Sequence, residues 1–310
     1  MLSINVQKKL IKFSFVVHLG NRLRRDFYDK KIAVISDVHG NITALKAVLK
    51  DAEKNDAQEI WSIGDLAIGG SSMEECFQLL SEVNTTQYLM GNWETAFLSV
   101  INTQSVDLDN PSQVYFANLV KYDYEHLTPG RIKQIQALPL TGRKTVEGIQ
   151  FSLTHNLPTS NRGHELFAYK EQKNFDELNI DPDMDVAIYG HTHTPLWRFT
   201  TEGQMILNPG SVGQPWYSRK SLMKDRDASY ILLNISNGKV DDVDFRRVNY
   251  DLQQELDNAI KLGFPYPSLY KELLTTGHAS THDKDKLRKI NLENNYRQRA
   301  KEFLIDLAHQ

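Results

Sequence analysis

The chain has 310 residues, 40% of them hydrophobic and 24% charged, with a net charge of −3 and a pI near 6.4. That composition is ordinary for a globular protein and leaves room for a sizeable core in one large domain or two moderate ones. It excludes whole-protein electrostatic capture by nucleic acid or an acidic membrane, no run is apolar enough to span a bilayer, and the single Cys76 cannot form an internal disulfide, which fits a cytoplasmic location.

Residues 1–30 read as a basic N-terminal extension. Eight Lys/Arg stand against two Asp over residues 1–31. Lys12 and His18 interrupt the apolar stretch, and Arg22, Arg24 and Arg25 follow where a signal peptide has its cleavage site. The folded domain is expected over 31–249, beginning with the strand-like run KIAVIS.

Six apolar runs then each end in a polar motif. KIAVIS meets Asp37-Val38-His39-Gly40-Asn41, EIWSI meets Gly64-Asp65, and TQYLM meets Gly91-Asn92-Trp93-Glu94. IQFSL meets Thr154-His155-Asn156, DVAIY meets Gly190-His191-Thr192-His193, and QMIL meets Asn208-Pro209-Gly210-Ser211. Short apolar runs bounded in this way are buried strands, and ligands of α/β sheets gather beyond their carboxyl ends.

Between the strands, NITALKAVLKDAEK has helical periodicity with Asn41 as its N-cap, and SSMEECFQLLSEV is a second helix with Cys76 on its buried face. A Tyr- and Leu-rich insertion over about 97–137 reads as a small helical cap beside the site, or else as plain helical core. Strands dominate after Gly142, and Ser236-Asn237-Gly238 signals a hairpin. Residues 250–310 read as a helical C-terminal extension, with one amphipathic surface helix from Asp283 docked through Phe303, Leu304 and Leu307.

Two divalent ions held about 3.5–4 Å apart can clamp a phosphoryl group and activate water. Such a pair needs carboxylate oxygens and imidazole nitrogens, with a shared carboxylate between the ions. Asp37, His39, Asp65, Asn92, His155, His191 and His193 supply that set, with Asp65 as the natural bridge. Asp65, Asn92 and His155 are also the candidate catalytic residues. Each pair alone is weak, since D-x-H, H-x-H and Gly-Asp are common by chance; the ordered set is the signal. Arg162 and His164, following the His155 strand, are candidates to reach substrate phosphate. Most of the remaining histidines read as solvent-facing.

The ordered pattern D-x-H, G-D, G-N-x-E, H, G-H-x-H over residues 31–248 resembles the calcineurin-like metallophosphoesterases. Asn208 to Pro215 resembles the YfcE-like branch. Gly91-Asn92-Trp93-Glu94 with Asp244-Phe245-Arg246-Arg247-Val248 looks like the streptococcal SapH-type diadenosine tetraphosphate hydrolases. The resemblance implies a four-layer αββα sandwich and two ions, Mn or Fe. Asp37, His39, Asp65 and His193 would hold one, and Asp65, Asn92, His155 and His191 the other. It also implies a small-molecule nucleotide or phosphoester substrate, hydrolysed by a hydroxide held between the ions.

Two departures bear on chemistry. Trp93 stands where many members have a leaving-group histidine, and indole cannot supply a proton. A phosphate leaving group needs little such help and a serine alkoxide needs much, which points to nucleotide phosphoanhydrides. Trp93 is accordingly a candidate to stack on a base, or else a residue packed under the cap. Asn156 stands where the family often has Gly. The rival readings are a phosphodiesterase of cyclic nucleotides or small diesters and, from another class, a metal-free scaffold on the same fold. A homo-oligomer is compatible with all three.

Overall fold

The computed structural model of the chain describes residues 30–309, so residues 1–29 of the basic extension lie outside the described residues. Strand β1 (Lys30–Ile35) runs through the first motif into α1 (Ile42–Lys54). Asn41 caps α1, its side-chain oxygen accepting from the Ala44 N–H at 2.9 Å. Then come β2 (Glu59–Ser62), α2 (Met73–Glu82) and β3 (Thr85–Tyr88). Helices α3 (Asn92–Thr103), α4 (Pro111–His126) and α5 (Pro129–Gln136) follow, the last two opened by proline at the first helical position.

The second half alternates β4 (Thr141–Val146), β5 (Ile149–Thr154), the short α6 (Gln172–Asp176), β6 (Val186–Ile188), β7 (Pro195–Phe199) and β8 (Met205–Pro209). The long hairpin β9 (Ala228–Ser236) and β10 (Lys239–Val248) comes next. Helices α7 (Leu252–Lys261), α8 (Pro267–Thr276), α9 (Lys284–Glu293) and α10 (Tyr296–Ala308) close the chain.

Two five-stranded sheets form, in the orders β10-β9-β1-β2-β3 and β4-β5-β6-β8-β7. Side chains alternate between the faces of each strand, which sorts the core into layers. Ile32, Val34, Ile231 and Leu233 from the first sheet meet Phe151, Leu153, Ile188 and Leu207 from the second. Ala33 and Ile35 face the helices on the other side of the first sheet, while Ala187 and Ile206 face Phe175 of α6. The fold is therefore a mixed α/β sandwich of two sheets flanked by helices. Its outer layer over the second sheet is thin, with α6 only five residues long.

In the hairpin Ser236 pairs with Lys239, so the turn is the two residues Asn237 and Gly238, both with positive φ. The single helix expected after Asp283 is two. Asn295 takes the left-handed conformation (φ 54°) and breaks the run between α9 and α10. Phe303 and Leu304 are buried and Leu307 half-buried, as the amphipathic pattern requires.

The C-terminal helices share one core with the strands and the helical insertion. Glu255 of α7 accepts from the Thr43 N–H and hydroxyl and from the Tyr270 hydroxyl, tying α7 and α8 to the start of α1. Asn118 of α4 donates to the Tyr296 carbonyl at 3.0 Å. Among the described residues, no helix is long and apolar enough to cross a membrane.

Candidate metal centre

The seven predicted ligands meet at the carboxyl ends of the central strands. Asp37 and His39 follow β1, Asp65 follows β2, and Asn92 opens α3 after β3. His155 follows β5, and His191 and His193 follow β6. Backbone bonds lock the loops together: Asp37 N–H to Gly64 O, His39 N–H to Asp65 O, Gly190 N–H to His155 O and Gly213 N–H to Asp37 O, all 2.9–3.1 Å.

Five of these residues, Asp37, His39, Asp65, His191 and His193, have φ between 50° and 65°. Left-handed backbone is unfavourable for non-glycine residues and collects at functional sites, where the surrounding structure enforces it. Gly91 is required for a different reason: a Cβ there would lie 2.0 Å from Asp65 Oδ1. Asn156 does not have a positive φ, so its turn does not call for glycine.

The ring nitrogens sort themselves by their backbone partners. A carbonyl can only accept, so the nitrogen facing it carries the proton. His39 Nδ1–H donates to Ile68 O at 2.8 Å, His155 Nδ1–H to Ile63 O at 2.9 Å, and His193 Nδ1–H to Gln214 O at 2.6 Å. His191 is turned the other way and donates Nε2–H to Gly163 O at 2.8 Å. In the neutral rings the opposite nitrogens are left with lone pairs directed inward. With both rings neutral, His39 Nε2 and His193 Nε2 face each other at 3.2 Å as two acceptors, a contact that only a cation or an added proton relieves. His191 Nδ1 and His155 Nε2 both face Asn92 Oδ1, at 2.7 and 3.1 Å.

The carboxylates are arranged alike. Asp37 Oδ2 accepts from the His191 N–H at 3.1 Å, and Asp65 Oδ1 from the Trp93 N–H at 2.9 Å. Their other oxygens, Asp37 Oδ1 and Asp65 Oδ2, are buried without a hydrogen-bond partner. Asp65 Oδ2 lies 3.2 Å from His155 Nε2 and 3.8 Å from His39 Nε2, between the two groups. Asp37 Oδ1 lies 3.2 Å from His193 Nε2. Two clusters result, Asp37–His39–His193 and Asp65–His155–His191, each with ligand atoms within 4.8 Å of one another.

Converging acceptors and orphaned buried carboxylate oxygens are unfavourable unless positive charge sits among them. The titration behaviour says the same. Burial alone would raise the Asp37 and Asp65 carboxyls, yet facing imidazoles (His193 for the first, His155 for the second) hold both below the usual range. Burial opposes charge on His155, but Asp65 overrides it and pushes the ring up to about 10. His191 is pushed down to about 4 by burial and by His155. The residues fit a pair of cations.

Three buried groups outside the predicted set support the centre. Glu94 accepts from the backbone N–H of Asp65, Ala67 and Gly91 at 3.0, 2.7 and 2.8 Å, binding the Asp65 loop to the Asn92 turn. Burial, then the Asp65 charge, pushes it up to about 7. Its place three residues after Gly91 is the spacing of a helix capping box, a signal the sequence already carried. Asn161 donates to Met90 O, Gly91 O and the Thr95 hydroxyl, clamping the loop after β5 onto the same turn. Asp123 of α4 accepts from the Ile68 N–H at 3.0 Å, and the Ile68 carbonyl in turn orients His39.

Burial pushes Asp123 up to about 8 from 3.8. Between those values the unfolded chain releases a proton that the folded chain keeps, so this group makes stability fall as pH rises from about 4 to about 8. Asp123→Asn keeps an acceptor for Ile68 and removes the titration. Its expected result is a flatter stability–pH curve, with a gain of about 1–3 kcal/mol over the wild type at pH 9. Urea denaturation at pH 5 and pH 9 measures both, and an unchanged pH slope would contradict the role.

The low-specificity candidates are placed around this centre. Trp93 is half-buried, edge-on to His39 at 6.0 Å and tilted on Phe116 of α4 at 5.5 Å. It lines a cleft of about 430 Å³, open mouth included, with Tyr115, Leu119, Leu269 and Leu273. Arg162 and His164 are exposed on the loop after β5, flanking the Gly163 carbonyl that holds His191.

A donor set of this kind on the strand ends of a two-sheet α/β fold is that of metal-dependent phosphohydrolases. The chain belongs to the calcineurin-like phosphoesterase superfamily, whose domain model matches residues 31–238. It is similar to the uncharacterised protein MJ0912 of Methanocaldococcus jannaschii, 28% identical over 76% of this chain and 93% of the relative. Among solved structures it is similar to a metallophosphoesterase from Sphaerobacter thermophilus, with 25% identity, a TM-score of 0.62, and coverage of 80% of this chain and 99% of that one. The protein PH1004 of Pyrococcus horikoshii shares the fold, with a TM-score of 0.63, 17% identity and the same coverage. The chain is a metal-dependent phosphohydrolase, and the intact ligand set argues against the metal-free scaffold.

Proposed function

We propose that Asp37, His39, Asp65 and His193 hold one divalent ion, that Asp65, Asn92, His155 and His191 hold the other, and that the enzyme hydrolyses nucleotide phosphoanhydrides. The observation that carries the metal reading is the inward set of lone pairs around Asp37 Oδ1 and Asp65 Oδ2, the two orphaned carboxylate oxygens. Carboxylate, imidazole and amide donors suit Mn²⁺ or Fe. Ions bound there supply Lewis acidity toward phosphoryl oxygens and an activated water.

The chain's own part is positioning. Backbone carbonyls fix each imidazole tautomer, Glu94 and Asn161 hold the Asn92 turn, and burial of the carboxylates keeps competing solvent from them. The substrate class rests on Trp93 and on the SapH-type resemblance of residues 91–94 and 244–248. With indole beside His39, the leaving oxygen has no acid from this position, which favours leaving groups that depart as phosphates. A cytoplasmic setting is part of this reading, supported by the lone buried Cys76.

The test compares kcat/KM for diadenosine tetraphosphate with that for a phosphoserine peptide at fixed Mn²⁺. The expected result is a clear preference for the dinucleotide. A preference for the phosphopeptide overturns the substrate class and leaves the metal centre standing.

A further inference from the structure

Beside the centre, a row of aromatic rings lies on the loop after β5. Phe167 stands between His164, at 5.6 Å and 31°, and Tyr169, at 5.9 Å and 27°. Trp216, from the loop after β8, meets Phe167 edge-on at 5.5 Å. The two outer rings are exposed, Tyr169 by 68%. Exposed rings held in register by their neighbours offer flat apolar faces on which a planar ligand can stack.

The row is fastened to the candidate ligand histidines at its His164 end and through Trp216. Gly163, one residue before His164, accepts the His191 Nε2–H at 2.8 Å. The Trp216 N–H donates to the His193 carbonyl at 3.2 Å, and the Trp216 carbonyl accepts from the Thr194 hydroxyl. The loop itself is rigidly seated. Asn161 anchors it to the Asn92 turn, and Leu166 is fully buried with its carbonyl accepting from the Tyr189 hydroxyl at 3.0 Å. Cations flank the row: Arg162 is exposed at one end, and Lys170 Nζ lies 5.6 Å from the Tyr169 ring centre. Flat exposed rings, adjacent positive charge and a metal centre together complement a ligand with a planar group joined to a chain of phosphates.

We propose that His164, Phe167 and Tyr169, buttressed by Trp216, form the platform on which the planar ring of the substrate stacks while its phosphates lie at the metal centre. The proposal rests on the nucleotide reading above and makes the ring a nucleobase. It moves base recognition from Trp93, which packs between His39 and Phe116, to the exposed loop after β5.

The experiment measures KM for ATP and for inorganic tripolyphosphate, which has no ring, in the Mn²⁺-loaded wild type, Tyr169→Ala, Tyr169→Phe and Phe167→Leu. Tyr169 is exposed, so its substitution does not threaten the fold. The expected result is a KM for ATP raised about 5- to 100-fold by Tyr169→Ala and by Phe167→Leu, the factor that base–aromatic stacking contributes. Tyr169→Phe keeps the wild-type value, and the KM for tripolyphosphate is the same in all four proteins. A wild-type preference for ATP that survives loss of both rings overturns the platform and leaves the nucleotide reading intact. An equal rise for both compounds also overturns the platform, because the loss is then not one of ring recognition. A wild type that does not prefer ATP overturns both.

Discussion

Asp65→Asn lowers turnover by at least about 10²-fold and leaves the fold intact. The amide matches the carboxylate in size, and its oxygen can still accept from the Trp93 N–H in place of Oδ1. What it loses is the charge on Oδ2, the atom 3.2 Å from His155 and 3.8 Å from His39. That orphaned oxygen faces histidines of both groups, and a neutral group there offsets little of the repulsion between two divalent ions. Activity and metal content should fall together while the far-ultraviolet circular dichroism stays that of the wild type. Wild-type turnover with wild-type metal content in this variant would remove Asp65 from the centre.

Stripping the ions abolishes activity and lowers the melting temperature by about 5–15 °C, the shift expected when a ligand present at about 100–1,000 times its Kd is withdrawn. The physical reason is local. Without cations, Asp37 and Asp65 are left as buried carboxylates whose only compensating charge comes from protons drawn onto His155 and His193. Five residues in left-handed backbone add to the cost of keeping the loops in place. The readouts are differential scanning calorimetry and turnover before chelation, after it, and after Mn²⁺ is restored. Recovery of both on reloading is expected. A metal-free protein with unchanged melting temperature would mean that the cluster is held by protein contacts alone.

The candidate ligands were legible in the sequence because each stands where an apolar run stops, and a strand end lets such a residue leave the core while staying beside its neighbours. The Asn237-Gly238 turn was legible because only a two-residue loop with positive φ at both positions suits that dipeptide. Asp123 and Asn161 were not. Their partners are backbone groups of Ile68 and Gly91, 55 and 70 residues away in the chain, and no spacing rule links a carboxylate in one helix to an N–H in another loop. The break at Asn295 was hidden because the polar run around it has the composition of an unbroken surface helix. The ring row escaped notice since His164, Phe167 and Tyr169 follow neither strand nor helix spacing, and Trp216 joins them only through the loop after β8.

On the proposed reading, two ions in one shared site carry the chemistry. Titrating metal-free protein with Mn²⁺ by calorimetry, with hydrolysis of diadenosine tetraphosphate followed in the same samples, tests it most directly. Saturation is expected at two ions per chain, with full activity only when both are bound. Full activity at one ion per chain, or activity that persists in the chelated protein, would contradict it.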